Sequence, residues 1–250
     1  MESVLKGLQH NPKAGILFTW AGPVFVVLYS AGMLIAGLFP PTDPNASAIE
    51  VAQFFVDHQT GIAVGTILMC FGTGFLGLFI AAIAVQMRRS EMGFPLMTYA
   101  GLASAFFVAI DASLIPTLWA VCSFRAGDMP PDIVRLINDI AWFLFLFPWQ
   151  LGGGIWFIAV GLVILWDKSP QPVYPRWLGW ASLWFCVLTI PAGMIVFFKT
   201  GPFAFNGLLA FYVPLTSLFV WLIALTVETL KAFKRQALEQ AQSNINSLQG

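Results

Sequence analysis

Six apolar stretches, most of them 20 residues or longer, occupy most of this chain. A bilayer offers no water to backbone N–H and C=O groups, so a segment in hydrocarbon must satisfy its own hydrogen bonds. A helix of about 20 residues does this and crosses a ~30 Å core. The pattern predicts an all-α fold, a polytopic transmembrane helix bundle. Its spans fall at about 15–38, 61–86, 95–122, 140–166, 177–198 and 204–229. Charged residues make up only 10% of the chain, against about 25% in soluble domains. Mean hydropathy is +0.81.

Basic residues orient these spans. Lys6, Lys13, Arg88, Arg89, Lys168, Arg176, Lys231, Lys234 and Arg235 fall on one side, and only Arg125, Arg135 and Lys199 on the other. The positive-inside rule then predicts that both termini are cytoplasmic. The first apolar run is too long for a cleavable signal and is not followed by a small-residue cleavage motif. Trp166, Trp177 and Trp180 mark the inner interface, and Trp119 and Trp142 are expected near the outer one.

Between the first two spans, Pro40, Pro41 and Pro44 forbid a continuous helix. Ser47 and Glu50 then form a capping-box pattern. A short outer amphipathic helix should follow, reaching about Asp57, with Ile49, Val51, Phe54 and Phe55 as its apolar side. Pro130 and Pro131 open another helix, with Asp132 in its first turn, where the helix dipole favours an acid. Residues 1–229 read as one transmembrane domain. Residues 230–250 read as a cytoplasmic amphipathic tail, because Leu230, Phe233, Leu238, Ala241, Ile245 and Leu248 recur at near-helical spacing.

Asp111 is the acid placed near the centre of a span, within PLMTYAGLASAFFVAIDASLIPTLWAVCSF. A charge there costs about 2.5–3.5 kcal/mol on insertion scales unless it is paired or hydrated. Gln150, Tyr29, Tyr212 and Thr216 fall at similar depth, and Gln150, Tyr29 and Tyr212 are plausible donors to the carboxylate. Helix breakers at Pro116, Pro148, Pro191 and Pro214, with Gly152-Gly153-Gly154, accompany the acid. Interrupted helices beside a buried acid point to a ligand or proton site. Structural hydrogen bonding within the bundle is the competing reading of the same residues. An outer charged patch comprises Arg125, Asp132, Arg135, Asp139 and Lys199. It suits a solvated network or a docking surface.

Other patterns narrow the function. Gly61-x-x-x-Gly65 has the small-residue spacing of close helix contact. Gly72-x-Gly74-x-x-Gly77 lies inside a span with no preceding strand, so it is no dinucleotide fingerprint. His10 and His58 both fall outside the spans, which argues against bis-His haem and His-rich di-iron chemistry. Cys70, Cys122 and Cys186 lack metal-ligand or C-x-x-C spacing and read as small apolar side chains. No cofactor or metal is expected. Zero net charge and the absence of a basic motif argue against nucleic acid as a partner. The bilayer is the expected partner, with a membrane-protein partner or a homo-oligomer possible.

The runs Asn138-Asp139-Ile140-Ala141-Trp142, Pro175-Arg176-Trp177-Leu178-Gly179, FFKTGPFA from Phe197 and AIEVAQFFVDHQTGI from Ala48 resemble an uncharacterised group of bacterial integral membrane proteins. That resemblance implies six spans and a bacterial inner-membrane location, and it brings no catalytic residue. The leading expectation is a non-enzymatic membrane protein that binds or passes a small molecule or proton near Asp111. A structural or accessory subunit of a larger complex is the alternative. A membrane-embedded enzyme comes third.

Overall fold

In the computed structural model, residues 12–91, 93–148 and 152–249 are described. Helices α1 (Pro12–Ile35), α2 (Ala48–Asp57), α3 (Gln59–Ser90), α4 (Leu96–Phe124), α5 (Pro131–Leu146), α6 (Gly152–Trp166), α7 (Arg176–Thr189) and α8 (Val213–Gln249) follow in order. Two distorted segments adjoin them: a 3₁₀ stretch over Ile190–Val196 and a π turn over Leu208–Tyr212. Among the described residues five helical segments are long and apolar enough to cross a bilayer, and Gly153–Trp166 is a shorter apolar helix. The protein is therefore an all-helical, multi-pass membrane protein.

The apolar helices pack in chain order around a ring. α1 contacts α3, α3 contacts α4, α4 contacts α6, α6 contacts α7, α7 contacts α8, and α8 returns to α1. The tightest seam joins α1 to α3. A Cβ on Gly32 would stand 2.5 Å from the Gly65 carbonyl oxygen, and one on Gly61 would stand 2.6 Å from the Ile35 carbonyl oxygen. Only glycine allows these backbones to meet, which explains the Gly61/Gly65 spacing. Gly74 and Gly77 face open space and take no part in the seam. A second glycine pair, Gly161 and Gly179, joins α6 to α7.

Prolines locate the departures from simple helices. α5 ends two residues before Pro148, α7 gives way to the 3₁₀ stretch at Pro191, and the π turn yields to α8 at Pro214. The span expected over 140–166 is thus not one uniform helix. Its first part is the helix Pro131–Leu146, and α6 covers Gly152–Trp166. α4 continues through Pro116. At the other boundary, α8 does not stop near 229 but runs on through the expected tail, with Ala232, Phe233 and Gln236 buried.

The short helix α2 forms as its capping box requires. Glu50 N–H donates to Ser47 Oγ at 3.2 Å, and Ser47 N–H donates to Glu50 Oε2 at 2.7 Å. The Ser47 backbone, then its hydroxyl, holds the Glu50 carboxyl below the usual carboxylate range. α2 packs chiefly on α5, and Asn45 Nδ2 ties the same loop to the Lys199 carbonyl at 3.0 Å.

The tryptophans divide by burial within the bundle. Trp119 and Trp142 are fully buried, as are Trp156 and Trp221. Each of the first two finds an indole acceptor: Asn138 Oδ1 for Trp119 at 3.2 Å and Thr42 Oγ1 for Trp142 at 3.1 Å. With these partners an indole N–H is satisfied inside the bundle. Trp166, Trp177, Trp180 and Trp184 remain exposed.

Among the described residues the basic side chains divide between the two ends as expected, and Lys6 lies outside them. Arg89 pairs with Glu239 at 3.2 Å, Gln86 bonds Gln236 at 3.2 Å, and Arg235 reaches the loop at Pro172 and Val173. These contacts gather the end of α3, the α6–α7 loop and the distal part of α8 at one basic end. Arg125, Arg135 and Lys199 lie at the opposite end, with α2.

Candidate functional site

The site grows from a divergence between α1 and α8. Near the basic end the two helices touch closely: the Phe233 ring fills the space where a Cβ on Gly15 would stand. Toward the opposite end they part, and α4 and α5 do not fill the gap. The result is a cavity of about 290 Å³. Phe25, Tyr29 and Met33 line it from α1, Ala112 and Ile115 from α4, Phe145 from α5, and Leu215, Thr216 and Phe219 from α8, with Tyr212 just before it. Its volume is near the lower end of the ~300–1,000 Å³ typical of small-molecule pockets. Leu34 is 61% exposed and Thr216 is also exposed, so the rim between α1 and α8 opens on the outside of the bundle.

The walls are aromatic and aliphatic. The Tyr29 ring lies 5.4 Å from Phe25 and 6.4 Å from Phe145, and Tyr212 lies 6.2 Å from Phe39. A few polar groups interrupt this surface: the hydroxyls of Tyr29, Ser30, Tyr212 and Thr216. Such a site can solvate a largely apolar molecule and orient it by one or two hydrogen bonds.

Three of the expected site residues, Tyr29, Tyr212 and Thr216, come together around this cavity. Asp111 is buried on α4, 5% exposed, immediately before the lining residue Ala112 and one turn before Ile115. It sits behind the wall and does not line it. Gln150 lies outside the described residues.

The expected bond from Tyr29 to Asp111 is replaced by another. The Tyr29 hydroxyl donates to the Ala112 carbonyl oxygen at 3.3 Å. That carbonyl would ordinarily accept from the N–H four residues on, but position 116 is proline and has none. Tyr29 therefore satisfies the acceptor that Pro116 releases, and this lets α4 continue past its proline. Tyr29 and Asp111 remain close enough to interact electrostatically.

The outer charged patch forms no closed network among the described residues. Arg135 pairs with Asp132 at 3.6 Å, one helical turn away, in an exposed arrangement. Arg135 and Lys199 both act electrostatically on Asp139. Arg125 lies over the Phe124 ring at 5.1 Å. Exposed pairs of this kind are worth about 0–1 kcal/mol. Among the described residues no group of three or more His, Cys, Asp and Glu side chains is placed to hold a metal ion.

Ser30, at the depth of Tyr29 in the first span, also lines the cavity, whereas Phe25, Phe39 and Phe145 complete it with no local sequence signal. They become neighbours only through the divergence of α1 and α8. Beside the shared depth of Tyr29, Tyr212 and Thr216, the legible clue was Pro116, whose orphaned carbonyl demands a donor from another helix.

No known family, curated protein or solved structure matches this chain.

Proposed function

We propose that this protein is a non-enzymatic inner-membrane protein that takes a small, largely apolar molecule from the bilayer into the α1–α4–α5–α8 cavity, with Asp111 as a polar group behind its wall. The lipid-facing cavity carries the reading. Its rim at Leu34 and Thr216 supports lateral entry, and its sparse hydroxyls support an amphipathic ligand. Counting α5 and α6 as two parts of one crossing gives six spans. The accumulation of Lys and Arg at one end supports a cytoplasmic location for both termini. The resemblance of its loop motifs supports a bacterial inner membrane.

Purification in mild detergent followed by solvent extraction and mass spectrometry tests the proposal. A small molecule near one equivalent per chain is expected. Ser30→Trp and Thr216→Trp should each fill the cavity and remove it while leaving the melting temperature within a few degrees. Retention of the molecule by both folded variants would place it elsewhere and overturn the reading. Asp111→Asn tests the buried acid separately: unchanged ligand occupancy in a normally folded variant would remove Asp111 from the site.

A further inference from the structure

The basic end carries a second concavity, unrelated to the first. An open groove of about 560 Å³ lies between the α6–α7 loop and α8. Arg176, Lys231, Lys234 and Arg235 line it, with Glu228 as its single carboxylate. Formal charge within the groove is thus strongly positive in a protein whose net charge is zero.

Two cross-links fix its shape. The buried Tyr174 hydroxyl bonds Thr229 Oγ1 at 2.9 Å, and the Arg235 guanidinium donates to the Pro172 and Val173 carbonyls. These bonds pin the loop to α8 and commit Arg235 to a structural role. Lys231 Nζ bonds Glu228 Oε1 at 2.7 Å, which compensates that carboxylate. Arg176 and Lys234 are exposed, and among the described residues neither pairs with a carboxylate. Arg176 also opens α7.

The height of the groove identifies the source of its anion. Trp177 follows Arg176 directly, and Trp177, Trp180 and Trp166 are all more than half exposed. Exposed tryptophans concentrate at the headgroup level of a bilayer. Basic pockets at that level between membrane helices bind anionic headgroups. We infer that the Arg176–Lys234 groove is a binding site for the phosphate of an anionic phospholipid. Arg176 and Lys234 supply the charge, and Arg235 and Tyr174 hold the groove open.

The test uses the full chain in neutral detergent or nanodiscs, with phosphatidylglycerol, phosphatidylcholine and inorganic phosphate as separate probes. Native mass spectrometry and thermal shift give the readouts. Phosphatidylglycerol should bind and raise the melting temperature, whereas phosphatidylcholine should do so far less and millimolar inorganic phosphate should not. The double variant Arg176→Gln/Lys234→Gln should weaken phosphatidylglycerol binding roughly 30-fold, from two charges near the surface. It should keep the melting temperature of the wild-type protein in neutral detergent. Equal binding of the two lipids, or undiminished phosphatidylglycerol binding by the folded double variant, would overturn the inference. Full competition by inorganic phosphate would also overturn it, by marking the groove as a soluble-anion site. None of these outcomes depends on whether the apolar cavity is occupied.

Discussion

Replacing Gly32 by alanine places one methyl group at the tightest seam of the bundle. Its Cβ would stand 2.5 Å from the Gly65 carbonyl oxygen and 2.7 Å from Met69 Cγ, where ordinary contact begins near 3.4 Å. The methionine side chain can move, but the carbonyl belongs to the α3 backbone and cannot. The helices must separate locally by somewhat less than 1 Å, and contacts on both sides of the seam loosen. Overpacking of this kind costs about 1–3 kcal/mol. At about 2–4 °C per kcal/mol for a chain of this size, the melting temperature should fall by about 2–12 °C. Gly74→Ala is the matched control, because no atom lies within 4 Å of its Cβ position. There alanine should be neutral or stabilising, since glycine in a helix interior is worse than alanine by about 0.5–1 kcal/mol. Thermal unfolding in one detergent, followed by loss of the monodisperse elution peak, measures both variants. Equal stability of Gly32→Ala and wild type, or equal losses in both variants, would refute the argument that close backbone approach holds α1 against α3.

Three further changes probe other supports of the fold. Ser47→Ala removes the α2 cap and should cost that helix about 1 kcal/mol, seen as faster amide exchange over Ala48–Asp57. Because the Glu50 carboxyl titrates below its ordinary range, its ionised form favours the folded cap. That contribution is complete above the unfolded pKa and is lost as pH falls through the lower folded one, so α2 protection should decline only in acid and Ser47→Ala should blunt the decline. Ser182→Ala leaves the buried Trp221 indole N–H without the acceptor it now has at 2.8 Å. A loss of about 1–3 kcal/mol is expected in thermal unfolding, and Trp221→Phe in the same background should recover part of it. Glu91→Ala removes the carboxylate that accepts from Met97 N–H, Thr98 N–H and Thr98 Oγ1 at 2.7–2.9 Å. The start of α4 should then exchange its amides faster, with about 1–2 kcal/mol of local stability lost.

Those perturbations also mark what was legible in the sequence. Length and apolarity foretold the five long apolar helices, because hydrocarbon leaves a chain so few alternatives, but not the division of the stretch expected over 140–166. The Ser47/Glu50 spacing foretold α2 to within a residue, since both capping bonds are local. Gly61 and Gly65 were legible as a contact because their spacing repeats along one helix face; their partner Gly32 was not, because pairing across helices leaves no local trace. Trp119 and Trp142 were expected near the outer end, but their burial was not legible, because it depends on Asn138 and Thr42, which accept from them across the fold. The cavity was invisible for a related reason. It is space left by diverging helices, and no residue encodes an absence. Tyr29 was expected at the site from its depth, but its bond partner follows from the proline at 116, a link that requires both helices to be seen together.

α8 carries a consequence of its own. At ~1.5 Å per residue its 37 residues extend about 55 Å, well beyond a ~30 Å hydrocarbon core. Its contacts with α3 reach as far as Glu239. The remaining turns continue the same unbroken helix for about 15 Å. Anything gripping the tip would meet the bundle at a set height and a set rotational phase. Deleting two residues above Glu239 would lower the tip by only about 3 Å but turn its gripping face through about 200°.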